Sequence, residues 1–234
     1  MRVNKQLTIV IPCKNEGHNI ITTLRYLYAS HLDCQIIIAD SSNNERSIIS
    51  LKRFQIASPM PIRIVEGGLP SVARNNGARC VRTPYVLFLD ADVFVKDPGF
   101  ISYCLRVAMG GNYDLVTCQF KTTTGEYNWI FKIFSVVQRI ISLKTPFAVG
   151  GFMFFKTEKF RALGGFNEQA KVAEDYLLSS KVKPSRFKII NEAVYTTPRR
   201  FKNKGVMYMV KLMIRSWWNR NNPEWFKQDH NYWK

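Results

Sequence analysis

Apolar residues fall in short, nearly unbroken runs, each followed by a stretch of mixed polarity with helical spacing. Leu7–Ile11, Gln35–Ala39, Ile62–Val65 and Tyr85–Leu89 read as strands. Asn19–Ser30, Ile48–Ala57 and Ser71–Val81 read as the helices between them. Strands that are apolar throughout have no solvent face, so both sides of their sheet must be covered. Helices placed regularly between such strands predict a doubly wound, largely parallel α/β sheet with helices on both faces. In that class, ligands gather beyond the carboxyl ends of the strands.

After Pro98 the pattern changes. Phe100–Met109 reads as a helix and Leu115–Phe120 as a strand. Trp129–Leu143 is a strongly apolar helix with one polar stripe, Lys132, Ser135, Arg139 and Ser142, at spacings of three and four. It is expected to belong to the core. Gly150-Gly151 opens the apolar run Phe152–Phe155, and Lys156–Leu163 leads into Gly164-Gly165-Phe166-Asn167. A further helix is predicted over Val172–Ser180. Beyond Pro198 the chain turns basic, then amphipathic and aromatic through Trp233.

The strand ends carry the chemistry. They read Pro12-Cys13-Lys14-Asn15-Glu16, Asp40-Ser41-Ser42 and Asp90-Ala91-Asp92. An acidic pair two residues apart is common by chance and usually a solvated turn. At the exit of a fully apolar strand, as the third polar or acidic end of one sheet, it reads instead as a site. Two such carboxylates suit a hard cation, Mg²⁺ or Mn²⁺, bridging to a diphosphate. Glu174-Asp175 opens a helical stretch, so its acids serve either the helix dipole or proton abstraction from a hydroxyl. Arg74, Arg199 and Arg200 are either ordinary surface charge or clamps for phosphate.

Composition narrows the class. The chain has 234 residues, 46% of them hydrophobic, and a formal charge of +17. That content supports a sizeable core and excludes disordered or fibrous classes. Such a charge favours polyanions, anionic surfaces or phosphorylated substrates. The five scattered cysteines form no C-x-x-C pair, which argues against zinc and for free thiols. Neither a signal peptide nor a transmembrane stretch is expected, since the longest apolar segments are broken by Lys132, Arg139, Lys144 and Lys211.

Taken in order, the motifs resemble those of the family 2 glycosyltransferases of the GT-A fold. They are Val10-Ile11-Pro12-x-x-Asn15-Glu16, Ile38-Ala39-Asp40-Ser41-Ser42, Ala73-Arg74-Asn75-x-Gly77-Ala78 and Phe88-Leu89-Asp90-Ala91-Asp92. Gly150-Gly151, Gly164-Gly165-Phe166-Asn167-Glu168 and Glu174-Asp175-x-x-Leu178 follow, so the resemblance covers roughly residues 6–201. It implies a catalytic domain over 1–201 and a basic helical segment over 202–234. It implies that Pro12, Asn15 and Glu16 line the nucleotide, that Asp40 contacts the base, commonly uracil, and that Arg74 lies near base and diphosphate. Asp90 would touch the ribose and Asp92 the metal, Mn²⁺ or Mg²⁺. Asp175 would be the base of an inverting displacement, with Gly150, Gly151 and Glu174 on the acceptor side. Arg199 and Arg200 are the looser match, near the diphosphate. The Q-x-x-R-W signature of processive synthases is missing, which points to transfer of one sugar.

The segment after Pro198 interleaves Lys and Arg with Trp and Met. It either lies on an anionic membrane or packs its apolar face on the domain. A membrane setting would suit a lipid-linked acceptor as well as a glycan, and a cytoplasmic protein touching the inner face. Two other classes compete: a nucleotidyl- or phosphoryl-type transferase, and a basic membrane- or nucleic-acid-binding protein without catalysis. The first lacks a Gly-rich phosphate loop, and for the second no familiar nucleic-acid motif is present, so no nucleic-acid partner is expected.

Overall fold

The structure, a computed structural model, describes residues 6–230; Trp233, read above as part of the aromatic tail, lies outside them. The elements in chain order begin β1 (Leu7–Cys13), α1 (His18–Ala29), β2 (Gln35–Asp40), α2 (Glu45–Ala57) and β3 (Ile62–Glu66). They continue α3 (Pro70–Arg79), β4 (Tyr85–Leu89), β5 (Val93–Phe94), α4 (Phe100–Gly110) and β6 (Leu115–Thr122). Next come α5 (Asn128–Ser142), β7 (Phe152–Lys156), α6 (Thr157–Ala162), α7 (Glu174–Ser179) and β8 (Phe187–Thr196). The segment after Pro198 forms α8 (Arg199–Lys204), α9 (Val206–Trp218) and α10 (Pro223–Phe226).

The strands form one sheet in the order β3-β2-β1-β4-β7-β6-β8-β5. The β3-β2-β1-β4 half is parallel, β7 runs against both its neighbours, and β6 and β8 are again parallel. The unbroken apolar runs are explained by the pleat, which sends successive side chains to opposite faces. Ile9, Ile11, Ile36, Ile38, Leu87 and Leu89 enter one core, and Val10, Ile37, Val86 and Phe88 enter the other. Helix α3 lies close against β1 because Gly77 has no side chain; a Cβ there would stand 2.3 Å from Val10 Cγ1. Gly77→Ala is therefore expected to cost about 1–3 kcal/mol through overpacking, read as a lower urea midpoint at unchanged slope.

Helix α5 departs from expectation. Phe131 packs half-buried against the core, but the fully buried side chains of the helix are the polar Ser135, Gln138 and Ser142 rather than its apolar residues. Gln138 Nε2 donates to Phe147 O at 2.7 Å, Ser142 Oγ accepts from Phe147 N at 3.2 Å, and Ser135 Oγ donates to Phe131 O at 2.8 Å. The inward stripe is satisfied by the loop before β7 and, at Ser135, by the helix's own backbone, so much of the apolar stripe is left facing out. The predicted Val172–Ser180 helix shortens to α7, entered through a left-handed Ala173 (φ 53°). The basic tail divides its roles. Trp225 and Phe226 pack with Ala170 and Val172, and Phe226 O accepts from Lys171 N at 2.8 Å. In α9 Ser216 alone is buried.

Candidate active site

The carboxyl ends of β1 and β2 are stitched together by Asn15, which sits in the left-handed region (φ 56°) that asparagine tolerates. Its Oδ1 accepts from the N–H groups of Asn43 and Asn44, both at 3.0 Å, and its own N–H donates to Ser42 Oγ at 2.8 Å. Asp40 ends β2 and accepts from Ser42 Oγ at 2.6 Å and Ser42 N at 3.1 Å. Pro12 lies one residue before the end of β1, paired with Ala39. Gly67 passes so near that a Cβ would meet the Asp40–Ser41 peptide at 2.6 Å.

Asp90-Ala91-Asp92 turns directly out of β4. Thr23, on the buried face of α1, holds the turn by donating to Ala91 O at 2.8 Å. A lone threonine among apolar helix positions carries no recognisable motif, and only the folded turn reveals its part. Arg199 at the start of α8 reaches back to this turn. It clamps Glu16 in two bonds, 2.7 and 3.2 Å, and stands 3.5 Å from Asp92 Oδ2, which also accepts from Thr197 Oγ1 at 3.1 Å. Burial, then the carboxylates of Asp90 and Glu16, push Asp92 up to about 6, with Arg199 and Arg200 pulling the other way. The Glu16 bond and charge raise the Arg199 pKa.

The second cluster is built on Arg74, only 3% exposed on α3. Its guanidinium bonds Asp90 Oδ1 and Glu174 Oε1, each at 2.7 Å, and stands 5.3 Å from the centre of the Phe166 ring. Burial opposes its charge, but the two carboxylates more than offset that and raise its pKa. Arg74 Nε is buried without a partner. One residue along α3, Asn75 grips the Phe166 backbone twice, at 2.8 and 3.0 Å. It thereby fixes the turn at Gly164 and Gly165, which take φ 85° and 70°. Gly165 has no room for a side chain, since a Cβ would fall 2.9 Å from Asn75 Oδ1.

Asp175, the first residue after Glu174, differs from the acids around it. Its Oδ2 accepts from Gly150 N and its Oδ1 from Tyr176 N, both at 2.7 Å. No cation pairs with it among the described residues. Burial first, and the Glu174 charge second, raise it to about 6, against these backbone bonds and the more distant Arg74. Gly150 sits between the two groups: a Cβ would come within 3.0 Å of Arg74 Nη2 and 3.2 Å of Asp175 Oδ2. Gly151 is likewise hemmed in by Phe120 and Val93. The structure thus gathers Arg74, Asp90, Gly150, Glu174 and Asp175 in one cluster, and Glu16, Asp92 and Arg199 beside it. Pro12, Asn15 and Asp40 stand at the neighbouring strand ends. Arg200 lies on the exposed first turn of α8, near enough for its charge to act on Asp92.

The fold has solved counterparts. A mannosyltransferase from Pyrobaculum calidifontis, in complex with GDP-Man and Mn²⁺, superposes with a TM-score of 0.68 at 18% identity, over 90% of this chain and 64% of that one. TarS 1-349 from S. aureus in complex with UDP-GlcNAc gives 0.62 at 17%, over 82% and 58%. Glucosyl-3-phosphoglycerate synthase from Mycobacterium tuberculosis, with phosphoglyceric acid, gives 0.61 at 16%, over 90% and 80%. The chain therefore spans less than two thirds of the first two. A search of curated proteins returns no match. The sequence model of Glycosyl transferase family 2 matches residues 8–164, more than half of the chain. With the strand-end acids standing where the sheet opens, the chain belongs to glycosyl transferase family 2.

Proposed function

We propose that the protein transfers one sugar from a nucleoside diphosphate sugar, a UDP-sugar by preference, to an acceptor hydroxyl with inversion. The observation that carries this reading is the contrast among the acids. Asp90 and Glu174 are each paired with Arg74, while Asp175 is held only by backbone N–H groups and has a raised pKa. A carboxylate kept basic and unpaired in this way suits proton abstraction near neutral pH. In the reaction Asp175 takes the acceptor proton as the acceptor oxygen bonds to the anomeric carbon. The bond from that carbon to the diphosphate breaks on the opposite face. Arg74 holds Asp90 and, through Glu174, the start of α7 in register, which makes it a positioning residue. Arg199 and Arg200 supply positive charge for the diphosphate, and Pro12, Asn15, Glu16 and Asp40 line the nucleotide.

A divalent cation fits the same residues. The donors are hard oxygens, and Asp92 lies close enough to Asp90 and Glu16 for their charges to add to the effect of burial on it, so three carboxylates converge on one turn. Among the described residues no group of three or more His, Cys, Asp or Glu side chains is gathered as a ready cage. Asp92 and Asp90 would hold Mn²⁺ or Mg²⁺, with diphosphate oxygens and water completing the shell. The ion would neutralise charge on the departing diphosphate. Asp92→Ala is expected to lose the metal-dependent part of donor affinity, measured calorimetrically with and without Mn²⁺. An unchanged metal-dependent affinity in that variant overturns the assignment.

A further inference from the structure

Helix α5 presents a continuous apolar stripe to solvent. Trp129 is 63% exposed, Ile140 62% and Leu143 77%, with Ile133, Val136 and Val137 between them. These positions recur every three or four residues and lie opposite the buried Ser135, Gln138 and Ser142. Helix α9 repeats the arrangement. Met207, Val210, Ile214, Trp217 and Trp218 are exposed along one side, and Trp218 reaches 75%. An exposed apolar surface of this extent marks an interaction site.

Charge selects the partner. Neither 128–142 nor 199–218 contains a single Asp or Glu, and with Arg199 and Arg200 turned to the site and Lys202 paired with Glu126, the second stretch still offers Lys204, Lys211 and Arg215. A second copy would bring the same positive charge against itself, which disfavours pairing through this face. An anionic lipid surface accepts both the basic residues and the apolar stripe, with tryptophan at the boundary. Length decides the mode. The 15 residues of α5 and the 13 of α9 correspond to helices of roughly 20 Å, too short for a hydrocarbon core of about 30 Å. No described helix is long and apolar enough to cross a membrane. These helices would lie on the membrane plane.

Aromatic contacts link α5 to the segment that leads into α9 and to the residue after Asp175. At one end Phe201 of α8 stacks on Tyr127 at 5.3 Å and meets Phe131 edge-on at 5.4 Å, and α8 leads through Gly205 into α9. Further along α5, Phe134 meets Phe147 and Phe147 meets Tyr176, each at 5.5 Å, and Tyr176 follows Asp175.

We infer that the outward faces of α5 and α9 form a docking surface for an anionic bilayer, and that it brings Asp175 to a lipid-borne acceptor. The acceptor rests on the proposed function, whereas the docking does not. Co-sedimentation of the full chain with vesicles therefore tests docking without any nucleotide sugar. The chain should pellet with vesicles of mixed phosphatidylcholine and phosphatidylglycerol, stay in solution with phosphatidylcholine alone, and be released as salt rises to about 0.5 M. Ile133→Glu with Ile140→Glu, and separately Ile214→Glu with Trp218→Glu, should each lower partitioning by about tenfold or more. The circular dichroism spectrum should stay the same, because these side chains are exposed. A measurement on the unaltered chain stands beside them: brominated anionic lipid should quench the tryptophan emission. No pelleting and no quenching, undiminished binding by either double variant, or a dimer that both variants dissociate would overturn the inference.

Discussion

Asp175→Asn should lower sugar transfer by about 10²–10⁴-fold, the range a positioned general base supplies, while donor affinity stays at the wild-type level. The amide keeps one oxygen for the Gly150 N–H but gives up the bond from Tyr176 N along with the basicity, so an unchanged melting temperature and donor affinity are needed to assign the loss of turnover to the base. The wild-type pH profile supplies the matching result. With the carboxyl raised to about 6 by burial and by Glu174, kcat/KM should climb with pH, losing about tenfold for each pH unit below that value. Stability responds to this group with the opposite sign. A carboxyl whose folded pKa exceeds its unfolded one binds its proton more tightly in the native state. Its stabilising contribution is complete below about 4 and is lost as pH rises through about 6. An acid loss of activity through Asp175 is therefore not an unfolding effect of Asp175. Wild-type turnover in Asp175→Asn contradicts the assignment of the base.

Arg74→Ala should be the most destabilising single change at the site. It leaves Asp90 and the largely buried Glu174 without their shared cation. Removing one partner of a buried pair costs about 3–5 kcal/mol, because the remaining charge is stranded. In a domain of this size that corresponds to a fall in Tm of about 6–20 °C. Arg74→Lys should restore only part of it, since an ammonium is a single point charge and cannot reach both carboxylates as the two separate Nη groups do. Differential scanning calorimetry of both variants checks the order. A melting temperature in Arg74→Ala equal to wild type would remove Arg74 as the organising residue.

The parts of the fold that were legible in the sequence are those with a strong period. The fully apolar strands β1, β2 and β4, each followed by a turn with an acid, could be read because burial on both faces leaves no alternative pattern. The strand β8 was not read: it mixes Lys188, Asn191 and Glu192 with apolar residues, as suits a strand flanked on one side by the two-residue β5. Helix α5 was misread because a polar stripe at helical spacing looks the same whether it meets solvent or a loop. Gln138 and Ser142 instead satisfy the backbone of Phe147, a pairing set by tertiary contact alone. Single residues of the site divide in the same way. Asp90 and Asp92 stood out through their place at a strand end and Asp175 only through the family resemblance, whereas the pairing of Arg74 with Glu174 spans 100 positions and only the folded chain brings them together. Nor could spacing reveal that Thr23 and Thr197 support the acidic turn.

The central claim is that this site takes a nucleoside diphosphate sugar with a divalent cation. A thermal-shift screen of UDP- and GDP-sugars against the unaltered chain, with Mn²⁺ or Mg²⁺ and with chelator, tests it most directly. At a concentration of 100 times its Kd, the correct donor should stabilise the fold by about 2.7 kcal/mol. The melting temperature should rise by about 5–10 °C, and chelator should abolish most of the rise. If no sugar nucleotide shifts the transition with either metal, while duplex DNA shifts it in a salt-sensitive way, the account is contradicted and the charge of +17 serves polyanion binding instead.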